Sequence, residues 1–341
     1  MKPRFRLVFS GFFAIFATLP AVAQGPVALD ASKLNLASAN VLVLDAADNR
    51  PIYAKAANEV TPIASLTKLM TAIVTLDAGL SLDEAIAIDM DDFDYLKGSH
   101  SRLRLGAELP RREMLRLALM ASENRAASSL ARYYPGGTQA FVAAMNAKAR
   151  SLGMTRTRYS DPTGLSAENV STASDLAVLV NAAAQYPLIR EFSTTQSHYV
   201  EVQSTGQLLG FNNTNGLVKS SDWDIQVSKT GFIREAGKCL VMMATISSRP
   251  VVIVLLDSLG RYTRVADAMR VKYWLETGES LPVRTANAAT AVRSAKLVKS
   301  GKYAKSVKYT KSATAAPNRG RVTGTFPVAG QVKYTSVRQV R

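Results

Sequence analysis

Apolar positions recur along this chain with two different periods, and the change of period divides it. Near the start, Asn40-Val-Leu-Val-Leu-Asp45 and Pro51-Ile-Tyr-Ala-Lys55 flank Ala-Ala-Asp-Asn-Arg, the pattern of a β-hairpin. From about Ser65 to Ala78 the spacing becomes helical, with Leu66, Leu69, Ile73 and Leu76 three and four apart. Further helix-like stretches run from Arg111 to Ala121, Arg125 to Tyr133 and Thr138 to Leu152. Asp161-Pro-Thr-Gly164 reads as a turn, and Thr172-x-x-Asp175 opens another helix with a capping-box pattern. After His198 the chain returns to short alternating segments broken by Gly and Asn. Lys238 to Ile246 and Val251 to Leu256 hold no Gly or Pro and predict two strands hinged at Ser247-Ser-Arg-Pro250. A last amphipathic helix covers Thr263 to Glu276. Strands, helices, then strands and a helix predict an α+β fold, with one sheet built from both ends and a helical insertion between.

The length of 341 residues suits two or so domains with a real core, and excludes disorder or a disulfide scaffold as a whole-chain description. A net charge of +16 suggests nucleic acid until it is divided along the chain. Lys2, Arg4 and Arg6 are unopposed at the start, and 13 Lys or Arg without an acid lie from Arg284 to Arg341. Residues 24–283 then carry 26 bases against all 26 acids, so a nucleic-acid-binding core gets no support from charge.

The basic start, the apolar run from Leu7 to Leu19 and Ala21-Val22-Ala23 form the three-part pattern of a secretory signal, cut after Ala23. That run falls short of the roughly 20 residues a membrane span needs. Export to the periplasm is therefore expected. The tail, 284–341, lacks helical or strand periodicity, and Lys296, Lys299, Lys302, Lys305, Lys308 and Lys311 recur every third residue. On a polyproline-type chain they would form one cationic edge, suited to an anionic membrane or wall surface. A solvated low-complexity tail without a partner is the other reading.

Two histidines, His100 and His198, and one cysteine argue against a zinc site or a Cys-His pair, and no cofactor is implied. Cys239 sits in an apolar run and reads as a buried, inert thiol. No Gly-rich phosphate loop or Gly-x-Ser-x-Gly is present, and neither His has a recognisable triad context. Serine with lysine remains. Ser65-Leu-Thr-Lys68 is a Ser-x-x-Lys at a helix start after Thr61-Pro62, with Ser65 and Lys68 on one face. A helix start also offers unpaired N–H groups to an oxyanion. Alone the motif is weak, since 30 Ser and 17 Lys give about one or two by chance, and a plain N-cap is the alternative for Ser65. Ser122-Glu-Asn124 lies at a helix junction. Lys229-Thr-Gly231 lies on a strand-like segment from Ile225 to Ile233, where Gly231 permits close approach of a ligand or backbone and a solvated edge lysine is the alternative for Lys229.

Taken in order, the three motifs resemble the active-site set of penicillin-recognising serine enzymes. Pro62-Ile-Ala-Ser-Leu-Thr-Lys-Leu-Met70, Asp161-Pro-Thr-Gly-Leu-Ser166 and Lys229-Thr-Gly-Phe-Ile-Arg-Glu-Ala-Gly-Lys-Cys-Leu240 resemble the low-molecular-mass penicillin-binding proteins of the D-Ala-D-Ala peptidase family. Leu96-Lys-Gly-Ser-His-Ser-Arg-Leu-Arg-Leu105 and Ser122-Glu-Asn-Arg-Ala-Ala127 are most similar to its D-alanyl-D-alanine endopeptidase branch. The resemblance spans about residues 38–275. It implies a penicillin-binding-protein transpeptidase-like (β-lactamase-like) fold: an antiparallel sheet flanked by helices, with a helical subdomain roughly at 85–190 and the site in the cleft between. It further implies Ser65 as nucleophile, Lys68 as base and Ser122 as proton relay. Asn124, Lys229, Thr230, Gly231 and Phe232 would hold the substrate, and the amides of Ser65 and Phe232 would form the oxyanion hole. Peptidoglycan is the implied partner, and β-lactams the implied inhibitors. Glu168, as a deacylating base of the β-lactamase kind, is less well supported than Glu168 as a surface turn residue.

Membrane-bound carboxypeptidases of the family carry a second, β-rich domain and an anchoring helix. Only the 58 residues of the tail follow Val283 here, which favours an endopeptidase cutting D-alanyl–diaminopimelyl cross-links over a carboxypeptidase trimming pentapeptides. A non-catalytic wall-binding protein is the reading from another class.

Overall fold

The computed structural model describes residues 29–281 apart from 261 and 280. The expected signal sequence at 1–23 and the basic stretch at 284–341 lie outside the described residues. In chain order the elements begin with β1 (Ser38–Asp45), β2 (Arg50–Lys55), β3 (Thr61–Pro62), α1 (Lys68–Asp77), β4 (Ala85–Ala87) and β5 (Glu108–Pro110). The helices α2 (Arg111–Met120), α3 (Asn124–Arg132) and α4 (Gly137–Ser151) follow, then β6 (Val170–Ser171), α5 (Ala173–Ala183) and α6 (Pro187–Thr194). The chain continues through β7 (Ser197–Val202), β8 (Gln207–Asn212), β9 (Asp224–Ile233), β10 (Gly237–Ile246), β11 (Arg249–Ser258) and α7 (Thr263–Thr277).

The main sheet has the order β2-β1-β11-β10-β9, antiparallel throughout, so the first and last strands of the chain meet at its centre. Val41 lies opposite Leu255 and Leu42 opposite Val254. The unbroken apolar runs of β10 and β11 are explained by burial on both faces. Leu42, Leu44, Val241, Val252 and Val254 face the helical side. Their neighbours Val43, Leu240, Met242, Ile253 and Leu255 join Ala268, Val271 and Trp274 of α7 in a second core. Side chains alternate across a strand, so one sheet divides two cores. The β10–β11 turn is tighter than predicted. Ser247 and Ser248 both take positive φ, +50° and +60°, as a two-residue turn matched to strand twist requires, and Pro250 belongs to β11.

The helical side is built around α1, whose residues from Lys68 to Thr75 are all buried. The threonines of this buried helix are hydrogen-bonded, so their hydroxyls carry no unpaired polar group into the core. Thr71 donates to the Pro162 carbonyl at 2.6 Å and Thr75 to the Thr71 carbonyl at 2.8 Å. Thr172 caps α5 by accepting from the Asp175 amide at 3.0 Å. Asp175 instead bonds the Arg156 amide and the Thr157 hydroxyl, so only half of the expected capping box forms.

The predicted helix from Ser65 is corrected at its start. Residues Ala64–Thr67 form a short 3-10 turn, and α1 begins at Lys68. The sequence pattern also did not resolve α6 or the β7–β8 hairpin. The eight residues of α6 open on Pro187, and β7 and β8 are largely exposed, so neither offers a strong apolar period.

Candidate active site

Ser65 occupies the tight turn before α1, and Ile63, just ahead of it, is tied down by its amide's bond to the Asn169 carbonyl at 3.0 Å. No side-chain cap is formed at the start of that turn or of α1, so Ser65 is not the plain N-cap that was the alternative reading. Its Oγ lies 3.0 Å from Lys68 Nζ. That ammonium also donates to Asn124 Oδ1 at 2.7 Å and to the Thr163 carbonyl at 2.7 Å. Both of those partners only accept. When Lys68 is neutral its two N–H bonds serve them, and the lone pair is left facing the Ser65 hydroxyl. The arrangement therefore poises the amine to take the serine proton.

Ser122 sits between α2 and α3 in the left-handed region at φ +60°, a strained position for a residue with a Cβ. Lys229 Nζ donates to its Oγ at 2.9 Å and to the Thr230 carbonyl at 3.0 Å. Asn124, the first residue of α3, uses its amide nitrogen on Ser99 Oγ at 2.9 Å. The three motifs are far apart in sequence, and these bonds join them.

Two glycines let separate stretches of backbone come close to Ser65. A Cβ on Gly231 would lie 2.9 Å from the Ile63 carbonyl oxygen and 3.2 Å from the Ser65 amide. One on Gly164, at φ +81°, would lie 2.0 Å from the Ala64 carbonyl oxygen. The Asp161 turn holds Gly164 there: Asp161 Oδ1 accepts from the amides of Thr163 and Gly164, and Oδ2 from that of Ser166. Asn169, fully buried, ties this turn to Thr67 and to the Asp161 carbonyl. The turn at Asp161–Gly164, given no role of its own in the sequence reading, thus supplies the carbonyl that orients Lys68.

Ser65, Ser122, Asn124, Thr230, Gly231 and Phe232 line a cleft of about 770 Å³, and both lysines are buried behind its wall. Ser65, Lys68, Ser122, Asn124, Lys229, Thr230, Gly231 and Phe232, expected from the sequence to act together, lie at or directly behind this cleft. Thr214 and Arg264 were not foreseen, and both line the same cleft. Thr230 Oγ1 donates to Thr214 Oγ1 at 2.7 Å, and Arg264 donates to the Gly231 carbonyl at 3.0 Å. Neither belongs to a local motif; Arg264 sits in the first turn of α7 and reaches the site only through the fold. Phe232 is half exposed, with Lys238 Nζ 4.0 Å from its ring centre. Lys97 and Glu235, which also line the cleft, form an ion pair at 2.6 Å.

Electrostatics follow from burial. Desolvation pushes Lys68 down to about 8, against the carboxylates of Asp161, Glu123 and Asp94, which favour its charged form. Lys229 is held well below the usual lysine range by burial first, and then by the neighbouring charges of Lys68 and Arg264. Burial likewise raises Glu123. Glu168 stands apart from the cleft lining, two-thirds exposed, with Arg158 at 3.9 Å. His198 pairs with Glu113 at 2.7 Å, and neither His lines the cleft. Cys239 is wholly buried, and burial pushes its thiol up to about 11. Among the described residues no group of His, Cys, Asp and Glu could hold a metal ion.

Comparison with known proteins places this geometry. Residues 27–260 match the family model described as D-alanyl-D-alanine carboxypeptidase, peptidase S11. The chain is 48% identical over 289 residues to the D-alanyl-D-alanine endopeptidase of Escherichia coli, covering 83% of this chain and 93% of that one. It is 52% identical over 254 residues to the protein of the same name in Pseudomonas aeruginosa, covering 74% and 82%. Among solved structures it is similar to penicillin-binding protein D2 of Listeria monocytogenes in its ampicillin-bound form. The TM-score is 0.62 and the identity 27%, over 71% of this chain and 98% of that one.

Proposed function

Because this chain belongs to the D-alanyl-D-alanine carboxypeptidase family of serine peptidases, we propose that it is a D-alanyl-D-alanine endopeptidase, opening D-Ala–diaminopimelate cross-links in peptidoglycan through an acyl-enzyme on Ser65. The observation that carries the chemistry is the contact of Lys68 with Ser65, in which the only lone pair of the neutral amine faces the hydroxyl. Lys68 takes the Ser65 proton as Oγ attacks the D-alanyl carbonyl. The amides of Ser65 and Phe232 receive the developing oxyanion, where the close approach of Gly231 makes room. Ser122, held by Lys229, relays to the departing amine the proton that Lys68 took from Ser65, which leaves Lys68 neutral to take a proton from the water that hydrolyses the ester and to return it to Ser65 Oγ. Asn124 fixes Lys68 and orients the substrate amide, while Thr230, Lys229 and Arg264 face the anionic end of the substrate. β-Lactams present the same acyl bond and are expected to acylate Ser65, in keeping with the ampicillin-bound relative.

Identity to two proteins named endopeptidase supports that branch over carboxypeptidase action, which would use the same residues. An intact Ser65–Lys68–Asn124 arrangement speaks against a non-catalytic wall-binding role. The exposed position of Glu168 speaks against a β-lactamase base. Export to the periplasm and a tail apposed to an anionic surface complete the reading, and both rest on sequence patterns. No helix among the described residues is long and apolar enough to cross a membrane.

The test gives residues 24–341 cross-linked muropeptide dimers and pentapeptide monomers side by side, with products weighed by mass spectrometry. Dimers falling to monomers, with pentapeptides intact and Ser65→Ala inactive, is the expected result. Loss of one alanine from pentapeptides, with dimers left uncut, would make the protein a carboxypeptidase.

A further inference from the structure

Beside the cleft lies a second pocket of about 390 Å³, lined by Arg102, Ser197, Tyr199, Gly210, Phe211 and Asn212. It is built on the β7–β8 hairpin, which the mechanism does not use. The chain connects it to the cleft along two walls. Asn212 lines this pocket and Thr214 lines the cleft, with a single residue between; Ser99 lines the cleft and Arg102 this pocket, on one loop. Two residues of extended chain span about 7 Å, so these two pockets are neighbours.

The hydrogen bonds give the pocket a side. Ser122, the proton donor to the departing amine, is bonded to Lys229; Lys229 is bonded to the Thr230 carbonyl, and the Thr230 hydroxyl to Thr214. This series runs from the leaving nitrogen toward Thr214 and hence toward Asn212. A carboxypeptidase expels a single D-alanine and needs no room beyond Thr214. An endopeptidase expels an amine that carries a whole second stem peptide, which must continue outward from that point.

The pocket is furnished for such a chain. Arg102 donates to the Gly210 carbonyl, and its guanidinium lies 5.5 Å from the centre of the Phe211 ring, so the cation is held in place. Tyr199 is 67% exposed and lies against Gly210, where a Cβ would stand 2.8 Å from the ring; the absence of a side chain lets the ring lie across the hairpin. Lys219 bonds Asn212 Oδ1 at 3.0 Å and adds a second positive charge at the rim. A fixed guanidinium beside an open aromatic face and a side-chain amide is suited to an extended acidic peptide.

We infer that the pocket formed by Arg102, Tyr199 and Asn212 is the subsite for the leaving-group half of the cross-link, with a carboxylate of the second stem peptide on Arg102 and its backbone along Tyr199. This inference rests on the endopeptidase reading and names where that reading's second peptide binds.

The test compares wild type, Arg102→Ala, Arg102→Lys and Tyr199→Ala in the mature chain. Three readouts are taken: steady-state cleavage of muropeptide dimers, acylation rate by a fluorescent penicillin, and trimming of pentapeptides. Loss of one charge-assisted contact corresponds to about tenfold or more in kcat/KM. Arg102→Ala and Tyr199→Ala are expected to lose that much on dimers, through KM, with penicillin acylation at the wild-type rate and Arg102→Lys partly restored. Dimer cleavage unchanged in both variants would overturn the inference. Dimer cleavage and acylation falling together would also overturn it, since the pocket would then only support the fold. Failure of the wild type to cut dimers at all would instead sink the endopeptidase reading, a result seen without any variant.

Discussion

Acylation of Ser65 should switch on as pH rises through 8, because the base must be neutral to accept the serine proton. Lys68 is fully buried, and burial brings it to about 8 from the ordinary 10.5. At pH 7 about one molecule in ten then carries the neutral amine, against about one in three thousand for an ordinary lysine. Burial thus supplies roughly 300-fold in competent enzyme, the equivalent of about 3 kcal/mol. The sign is fixed by linkage. The folded chain releases this proton before the unfolded chain does, so a stability cost present in full below pH 8 is relieved as pH climbs toward 10.5. The assay is the second-order rate of acylation by a fluorescent penicillin, by stopped flow from pH 6 to 9. A rise of about tenfold between pH 6 and 7, bending over near 8, is expected. Lys68→Arg, a cation that stays protonated across the range, should lose at least about a thousandfold and show no such rise. A wild-type rate that is flat, or that falls as pH approaches 8, would refute the assignment of Lys68 as base.

Two further predictions concern the surroundings of the nucleophile. Gly164→Ala places a Cβ 2.0 Å from the Ala64 carbonyl oxygen at φ +81°, so backbone must shift at the turn that carries Ser65. About 2–4 kcal/mol of stability and about a hundredfold in acylation should be lost, read by thermal melting and penicillin labelling; wild-type values in both would show that the turn is not held as described. Cys239, wholly buried and pushed up to about 11, should resist a thiol reagent at pH 8 in the native protein and react fully in denaturant. Complete native labelling within minutes would contradict its place in the core.

Much of the fold was legible because its signals are local. The apolar runs of β10 and β11 announce strands buried on both faces, and α2, α3, α4 and α7 keep a helical period over two or more turns. Ser65 and Lys68, the proposed nucleophile and base, were readable together for the same reason, since they stand three positions apart. What escaped were elements whose sequence carries no period strong enough to stand out: α6, and the exposed hairpin of β7 and β8.

The chain by itself determined which side chains are available for chemistry: a serine three residues before a lysine, a second serine two before an asparagine, a second lysine two before a glycine. Tertiary structure decided what those groups do to one another. Thr163 lends its carbonyl to Lys68 from 95 positions away, and Ser122 receives Lys229 from 107 positions away. Gly164 closes on Ser65 from the Asp161 turn and Gly231 from strand β9. The depressed lysine depends wholly on that assembly, because a side chain near an ordinary 10.5 in water becomes a base near 8 only once the fold has removed the water around it.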